Sequence, residues 1–185
     1  MQKLQKMLRT AVAPHLKRKA QARILDLACG RCDEAETLLT VVKEQTQTEA
    51  VQLIGADIRI REIRQARERL SGKNAEFLIQ DATQLHQHQQ LGTDFDLVFL
   101  RHQNYWHGPS TWQRIFEQGI NKLADDGLLV ITSYFDKEHQ LALQALQKQG
   151  AQLLLSQRND HSRSLADAPG KSVDRWIAVL KKPST

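Results

Sequence analysis

The sequence predicts an α/β fold: a seven-stranded, mostly parallel sheet, helices on both faces, and an antiparallel strand pair at its C-terminal edge. Three observations predict it. Apolar runs of strand length alternate with stretches whose apolar residues recur every three or four positions. The fourth run, "DLVFL" (96–100), is apolar throughout, as a central strand buried on both faces should be. The last two runs have no helical pattern between them, so they are expected to pair antiparallel.

The elements follow in order. Residues 1–22 carry Leu4, Met7, Leu8 and Ala11 at helical spacing and read as an amphipathic helix. The first strand is "RILDLA" (23–28). Residues 33–44 set Ala35, Leu38, Leu39 and Val42 on one helical stripe, and Asp33 with Glu36 resembles a capping box. "AVQLIGA" (50–56) is the second strand, and residues 59–70 are a helix with Ile60, Ile63, Ala66 and Leu70 on one face. "AEFLIQ" (75–80) is the third strand, followed by a less regular segment and then the fourth strand. Residues 110–123 form a helix, "DDG" (125–127) a turn, and "LLVITSYF" (128–135) the fifth strand. Residues 137–149 are helical, with Gly150 where a C-terminal cap belongs. "AQLLLSQ" (151–157) and "DRWIAVLKK" (174–182) are the final strands, joined by a polar loop.

With 185 residues, no internal repeat and no linker, the chain reads as one domain: the N-terminal helix (1–22), a core (23–135), and a C-terminal helix with its strand pair (136–185). No apolar run approaches the ~20 residues of a membrane helix, and the N-terminus lacks the apolar stretch of a secretory signal. Two cysteines three residues apart cannot make a disulfide framework, so a cytoplasmic setting with no membrane partner is expected. The net charge of +5 is uneven. Lys3, Lys6, Arg9, Lys17, Arg18, Lys19 and Arg23 precede the first acid, and five arginines lie between Arg59 and Arg69. These read as solvated faces, with RNA or a phosphate-bearing substrate as the sharper alternative.

Chemistry concentrates in "ILDLACGRCDEAETLL" (24–39), the turn after the first strand, where an open α/β sheet binds ligands. A redox dithiol at Cys29 and Cys32 lacks the cis-proline its fold would need: no proline lies between Pro14 and Pro109. A metal site of the usual kind needs a second cysteine pair, and none exists; His86 and His88 sit in a polar stretch, so no metal ligand is expected. A nucleotide turn needs small residues, which Ala28 and Gly30 supply. Asp33, Glu34 and Glu36 would repel a pyrophosphate there, which favours a nucleoside without phosphates over a nicotinamide dinucleotide.

Asp26, Ala28, Gly30 and Cys32 stand where class I S-adenosylmethionine-dependent methyltransferases have an acid and three alternating glycines, and the sequence resembles that family from residue 24 to about 135. The resemblance implies a three-layer Rossmann-like methyltransferase fold with S-adenosylmethionine as cofactor. It implies a cofactor-binding turn that includes Cys29, with the Cys32 side chain toward the methionine part, where cysteine fits with its φ kept below zero. Asp57, ending "IGAD", matches the acid that holds the ribose, with Ile58 beside it; Asp81 and Ala82 match the adenine end. The resemblance further implies that the methyl donor meets its acceptor at "RHQNYWHG" (101–108). There His102 is the candidate catalytic base, Arg101 pairs with an anion or braces the loop, and Tyr105 and Trp106 offer stacking surfaces. The acceptor, a small molecule or RNA, is not legible. A methyltransferase-like binding module without catalysis is the alternative that Cys32 invites.

Overall fold

The computed structural model of the chain describes residues 1–184. Its sheet has seven strands in the order β3-β2-β1-β4-β5-β7-β6. The strands are β1 (Ala22–Leu27), β2 (Val51–Asp57), β3 (Ala75–Ile79), β4 (Phe95–Leu100), β5 (Leu123–Ser133), β6 (Gln152–Arg158) and β7 (Trp176–Lys181). β7 alone runs against the others, being antiparallel to both β5 and β6. The antiparallel edge expected from the missing helix is therefore present.

The helices are α1 (Gln2–Ala11), α2 (Ala35–Thr46), α3 (Ile60–Arg69), α4 (Pro109–Lys122) and α5 (Asp136–Lys148). They divide between the faces as right-handed crossovers require. Leu8, Leu38 and Ile63 of α1, α2 and α3 share one apolar cluster with Ile24, Leu53 and Phe99. Phe116 and Leu146 of α4 and α5 share the other with Leu25, Val98 and Ile131. Leu8 is 1% exposed, and burying such a side chain stabilises by about 1.5–3 kcal/mol. The α1 stripe foreseen from Leu4, Met7, Leu8 and Ala11 is the buried one. None of the described helices is long and apolar enough to cross a membrane.

Two local expectations are corrected. Residues 125–127 are no free turn, because β5 already begins at Leu123. Leu123 pairs with Phe95 and Leu128 with Leu97, so residues 124–127 bulge out of the ladder. Gly127 fits there because a Cβ would lie 2.5 Å from the Phe95 carbonyl oxygen, and Lys19 holds the bulge, 2.9 Å from Asp126 and 2.7 Å from Asp96. The capping box is also absent: Glu34 is the N-cap of α2 without a side-chain hydrogen bond, and Asp33 pairs with Arg31 and Arg69 instead. By contrast Gly150, at φ 94, closes α5 as its position suggested.

Strand order reverses between β1 and β4, which pair through Asp26 and Phe99. The carboxyl ends of β1, β2 and β4 thus border the crevice where this topology takes ligands.

Candidate functional site

The turn leaving β1 is wound tightly. Ala28, Gly30 and Cys32 all have left-handed backbone, at φ 51, 58 and 56. Glycine adopts this freely; each side chain that does so costs roughly 1 kcal/mol. The expectation for Cys32 is overturned on both counts. Its φ is positive, and its side chain is fully buried beneath the turn, the thiol donating to Asp26 Oδ2 at 2.9 Å. From outside, Arg69 donates to the carbonyls of Arg31 and Cys32, at 2.7 and 2.8 Å. Arg67 likewise donates to Phe77 O, at 2.6 Å. Part of the basic face read as solvated therefore fastens backbone.

Asp26, ending β1, is 0% exposed, and its Oδ1 has no hydrogen-bond partner among the described residues. Burial first, then the neighbouring Glu34 carboxyl, push it well above the ordinary carboxylate range. Asp57 accepts from Gly30 N through Oδ2 at 2.7 Å and from Arg59 N and Nε through Oδ1, both at 2.9 Å. Burial alone would raise it, but the Arg59 guanidinium and these N–H donors outweigh burial and hold it below its usual value. Arg59 thus lies across the carboxylate assigned to a ribose and over Gly30, where a Cβ would stand 2.9 Å from its Nη2. That guanidinium was unforeseen, because Arg59 reads as one of several arginines on a basic helix.

Asp81 lies two residues beyond β3; its Oδ1 accepts from Thr83 N and Oγ1, at 2.9 and 2.7 Å. Ala82 is buried and Ile58 is 66% exposed. Gln80 N donates to Asp57 O at 3.1 Å, which keeps the β2 and β3 ends adjacent. Asp26, Asp57 and Asp81 therefore follow one another along the carboxyl ends of three neighbouring strands.

Arg101 braces the loop from the wall of the cleft. Its guanidinium grips Asp174 through two bonds, at 3.1 and 2.7 Å, and lies 3.9 Å from Glu34. Asp174 also accepts from Thr132 Oγ1 at 2.9 Å, and its N–H donates to His102 Nε2 at 2.8 Å. His102 stacks on Tyr134 with ring centroids 3.7 Å apart. His102 Nε2 faces Asp174, 2.8 Å from its N–H and 3.0 Å from Oδ1, while the ring lines both of the hollows described next. Asp174 was missed because it reads as the first residue of the last strand; it stands outside β7 at φ 47.

Two hollows meet at this network. A cleft of about 490 Å³ is lined by Ala28, Cys29, Asp33, Glu34, Arg59, Arg101, His102, Tyr134 and Val173. A pocket of about 430 Å³ is lined by His102, Asn104, Trp106, His107, Tyr134, Phe135, Glu138 and Lys171. His102 and Tyr134 belong to both walls. Trp106 faces Phe135 at 5.1 Å, whereas Tyr105 is buried and stacks on Phe116. Glu138 is 1% exposed, accepts from Tyr134 N at 3.1 Å, and is pushed up to about 7 by burial. A larger hollow of about 660 Å³, between α1 and the end of β6, touches none of the motif residues.

A family model described as a methyltransferase domain matches residues 18–174. No curated protein matches the chain in sequence. Among solved structures, the fold is similar to a TehB-like S-adenosylmethionine-dependent methyltransferase from Corynebacterium glutamicum, with 19% identity over 89% of this chain and 82% of that one, at a TM-score of 0.61. It is similar to the N-methyltransferase NodS from Bradyrhizobium japonicum, with 14% identity over 99% and 93%, at 0.64. An rRNA methylase from Streptococcus thermophilus matches with 14% identity over 97% and 96%, at 0.65. At such identities the likeness of structures speaks to the fold alone.

Proposed function

The chain belongs to this methyltransferase domain family, and on that premise we propose that it transfers a methyl group from S-adenosylmethionine to a small, flat acceptor held in the aromatic pocket. The residues present fit that cofactor. Asp57 offers oxygens to a ribose diol once Arg59, whose side chain is 59% exposed, turns aside. Exposed Ile58 gives apolar cover to a base, with Asp81 and Ala82 beside it. The Glu34 carboxyl, on the wall of the cleft, suits a cationic neighbour, and Ala28 and Cys29 line the turn beside it.

Bound there, the cofactor supplies a methyl carbon already activated by its sulfonium. The protein's own work is to align the acceptor, exclude water and receive the acceptor's proton. Trp106 and Phe135 flank the acceptor pocket, and Tyr134 stacks on His102 in the wall between the two hollows. Glu138, with Oε1 held by Tyr134 N–H, is the proton acceptor in this reading; its titration near 7 suits the task. His102 and Arg101 hold that wall through Asp174. The observation that carries the reading is the shared wall between the cofactor cleft and an aromatic pocket with a buried carboxyl.

Titration calorimetry with S-adenosylmethionine tests the first half. Micromolar binding is expected, weakened about tenfold or more in Asp57→Ala, since a hydrogen bond to a charged group contributes roughly 1.5–3 kcal/mol. Absence of binding by the native chain would leave a binding module without catalysis. Transfer of a labelled methyl to small-molecule pools and to total RNA tests the second half. Label in RNA alone would overturn the small acceptor. Glu138→Gln should cut turnover with cofactor affinity unchanged.

A further inference from the structure

We propose that Asp26, Cys29 and Cys32 form a binding site for a thiophilic divalent cation of the Zn²⁺ class. One ligand atom from each lies within 4.8 Å of the other two. With metal–sulfur and metal–oxygen bonds of about 2.3 and 2.0 Å, tetrahedral ligands stand about 3.8 Å (sulfur–sulfur) and 3.5 Å (sulfur–oxygen) apart. The set closes on an ion with small side-chain adjustments; the 2.9 Å between Cys32 Sγ and Asp26 Oδ2 is the separation that must widen. Sequence spacing alone left the two thiols without a third ligand. The fold supplies it, because the turn doubles back over the end of β1.

Independent observations point to a ligand. Asp26 Oδ1 is wholly buried and accepts no hydrogen bond among the described residues, and a cation held between the thiols gives that carboxylate a counter-charge. Cys32 holds a left-handed backbone that glycine would adopt without strain, so the thiol is kept against the preference of its own backbone. On the facing strand, Gly55 leaves both sulfurs their room: a Cβ there would lie 3.0 Å from Cys29 Sγ and 3.1 Å from Cys32 Sγ. Cys29 lines the cleft, which gives an ion a way in and leaves a fourth position for solvent.

Binding replaces thiol S–H bonds by metal–thiolate bonds, so protons leave as the ion enters. The test titrates Zn²⁺ alone into reduced full-length protein stripped with chelator. One ion per chain is expected, with release of the two thiol protons and of any proton that Asp26 carries, and Co²⁺ in its place should give a thiolate charge-transfer band. Cys32→Gly suits the existing backbone and should fold normally by circular dichroism, yet bind Zn²⁺ at least about 100-fold more weakly. No uptake by the native chain, or undiminished uptake by Cys32→Gly, would overturn the site. So would a reduced protein whose thiols form a Cys29–Cys32 disulfide on oxidation but ignore Zn²⁺ beforehand.

Discussion

Gly55 has no side chain, and two sulfurs occupy the space this leaves. An added methyl would meet Phe77 Cδ1 at 2.9 Å as well as the two thiols at 3.0 and 3.1 Å. The thiols belong to a turn already held by Gly30 N to Asp57 and by Arg69 on its carbonyls. They cannot withdraw without moving the turn. Gly55→Ala should therefore destabilise by about 1–3 kcal/mol, the usual range for overpacking a filled interior. Urea unfolding measures it, and a neutral or stabilising result would mean that the turn yields freely. The motif acids could be recognised in the sequence because each follows an apolar strand. The neighbours that set their state could not. Arg59 beside Asp57 is adjacent in sequence, but nothing in a run of arginines says which one folds back. Asp174 beside Arg101 is 73 residues away, and no periodicity joins them.

At the scale of elements, strands and helices were legible because burial imposes a period on each: every residue of β4 is buried, and α1 hides the stripe its spacing announced. The bulge at 124–127 was not, because "DDG" satisfies turn chemistry as well as it fits an irregular strand. Helix α5 carries a consequence that periodicity also hides, since two adjacent titratable residues are buried on it. Burial raises Glu138 from 4.5 to about 7, with Lys171 opposing, and lowers His139 from 6.5 to about 4, with Asp136 opposing. Between pH 4.5 and 7 the folded chain keeps a Glu138 proton that the unfolded chain has lost, so this contribution to stability fades as pH rises. Between pH 4 and 6.5 the unfolded chain binds a His139 proton that the folded chain refuses, so that contribution grows. Each amounts to about 3 kcal/mol, and over their shared window they cancel. The joint contribution of Glu138 and His139 is therefore nearly constant from pH 4.5 to 6.5, and the Glu138 variant is read against the native protein. Glu138→Gln, which keeps the acceptor for Tyr134 N, should gain about 3 kcal/mol as pH rises over that interval. Urea midpoints at stepped pH decide it; parallel profiles for the two proteins would defeat it.

Across the whole molecule, one buried ion pair ties the cofactor half to the C-terminal edge. Arg101 follows β4, Thr132 lies in β5, Asp174 precedes β7, and Glu34 caps α2; hydrogen bonds or ion pairs connect Asp174 and Arg101 to all of them. The Arg101 side chain is 17% exposed and that of Asp174 5%. In such a place the pair contributes little net stability by itself, because desolvation offsets attraction; removing one partner strands the other charge. Asp174→Ala should cost about 3–5 kcal/mol, and at about 2–4 °C per kcal/mol for a chain of this size its melting temperature should fall by roughly 10 °C. Adding Arg101→Met should recover most of that loss, since no charge is then left buried. Asp174→Gly should be milder than Asp174→Ala by up to about 1 kcal/mol, because position 174 has φ 47 and glycine adopts it without strain. Calorimetric melting of the four proteins separates the charge from the backbone. If the double variant melts no higher than Asp174→Ala, then Asp174 acts through its bonds to Thr132 and His102, and the edge is held by that hydrogen-bond network rather than by the ion pair.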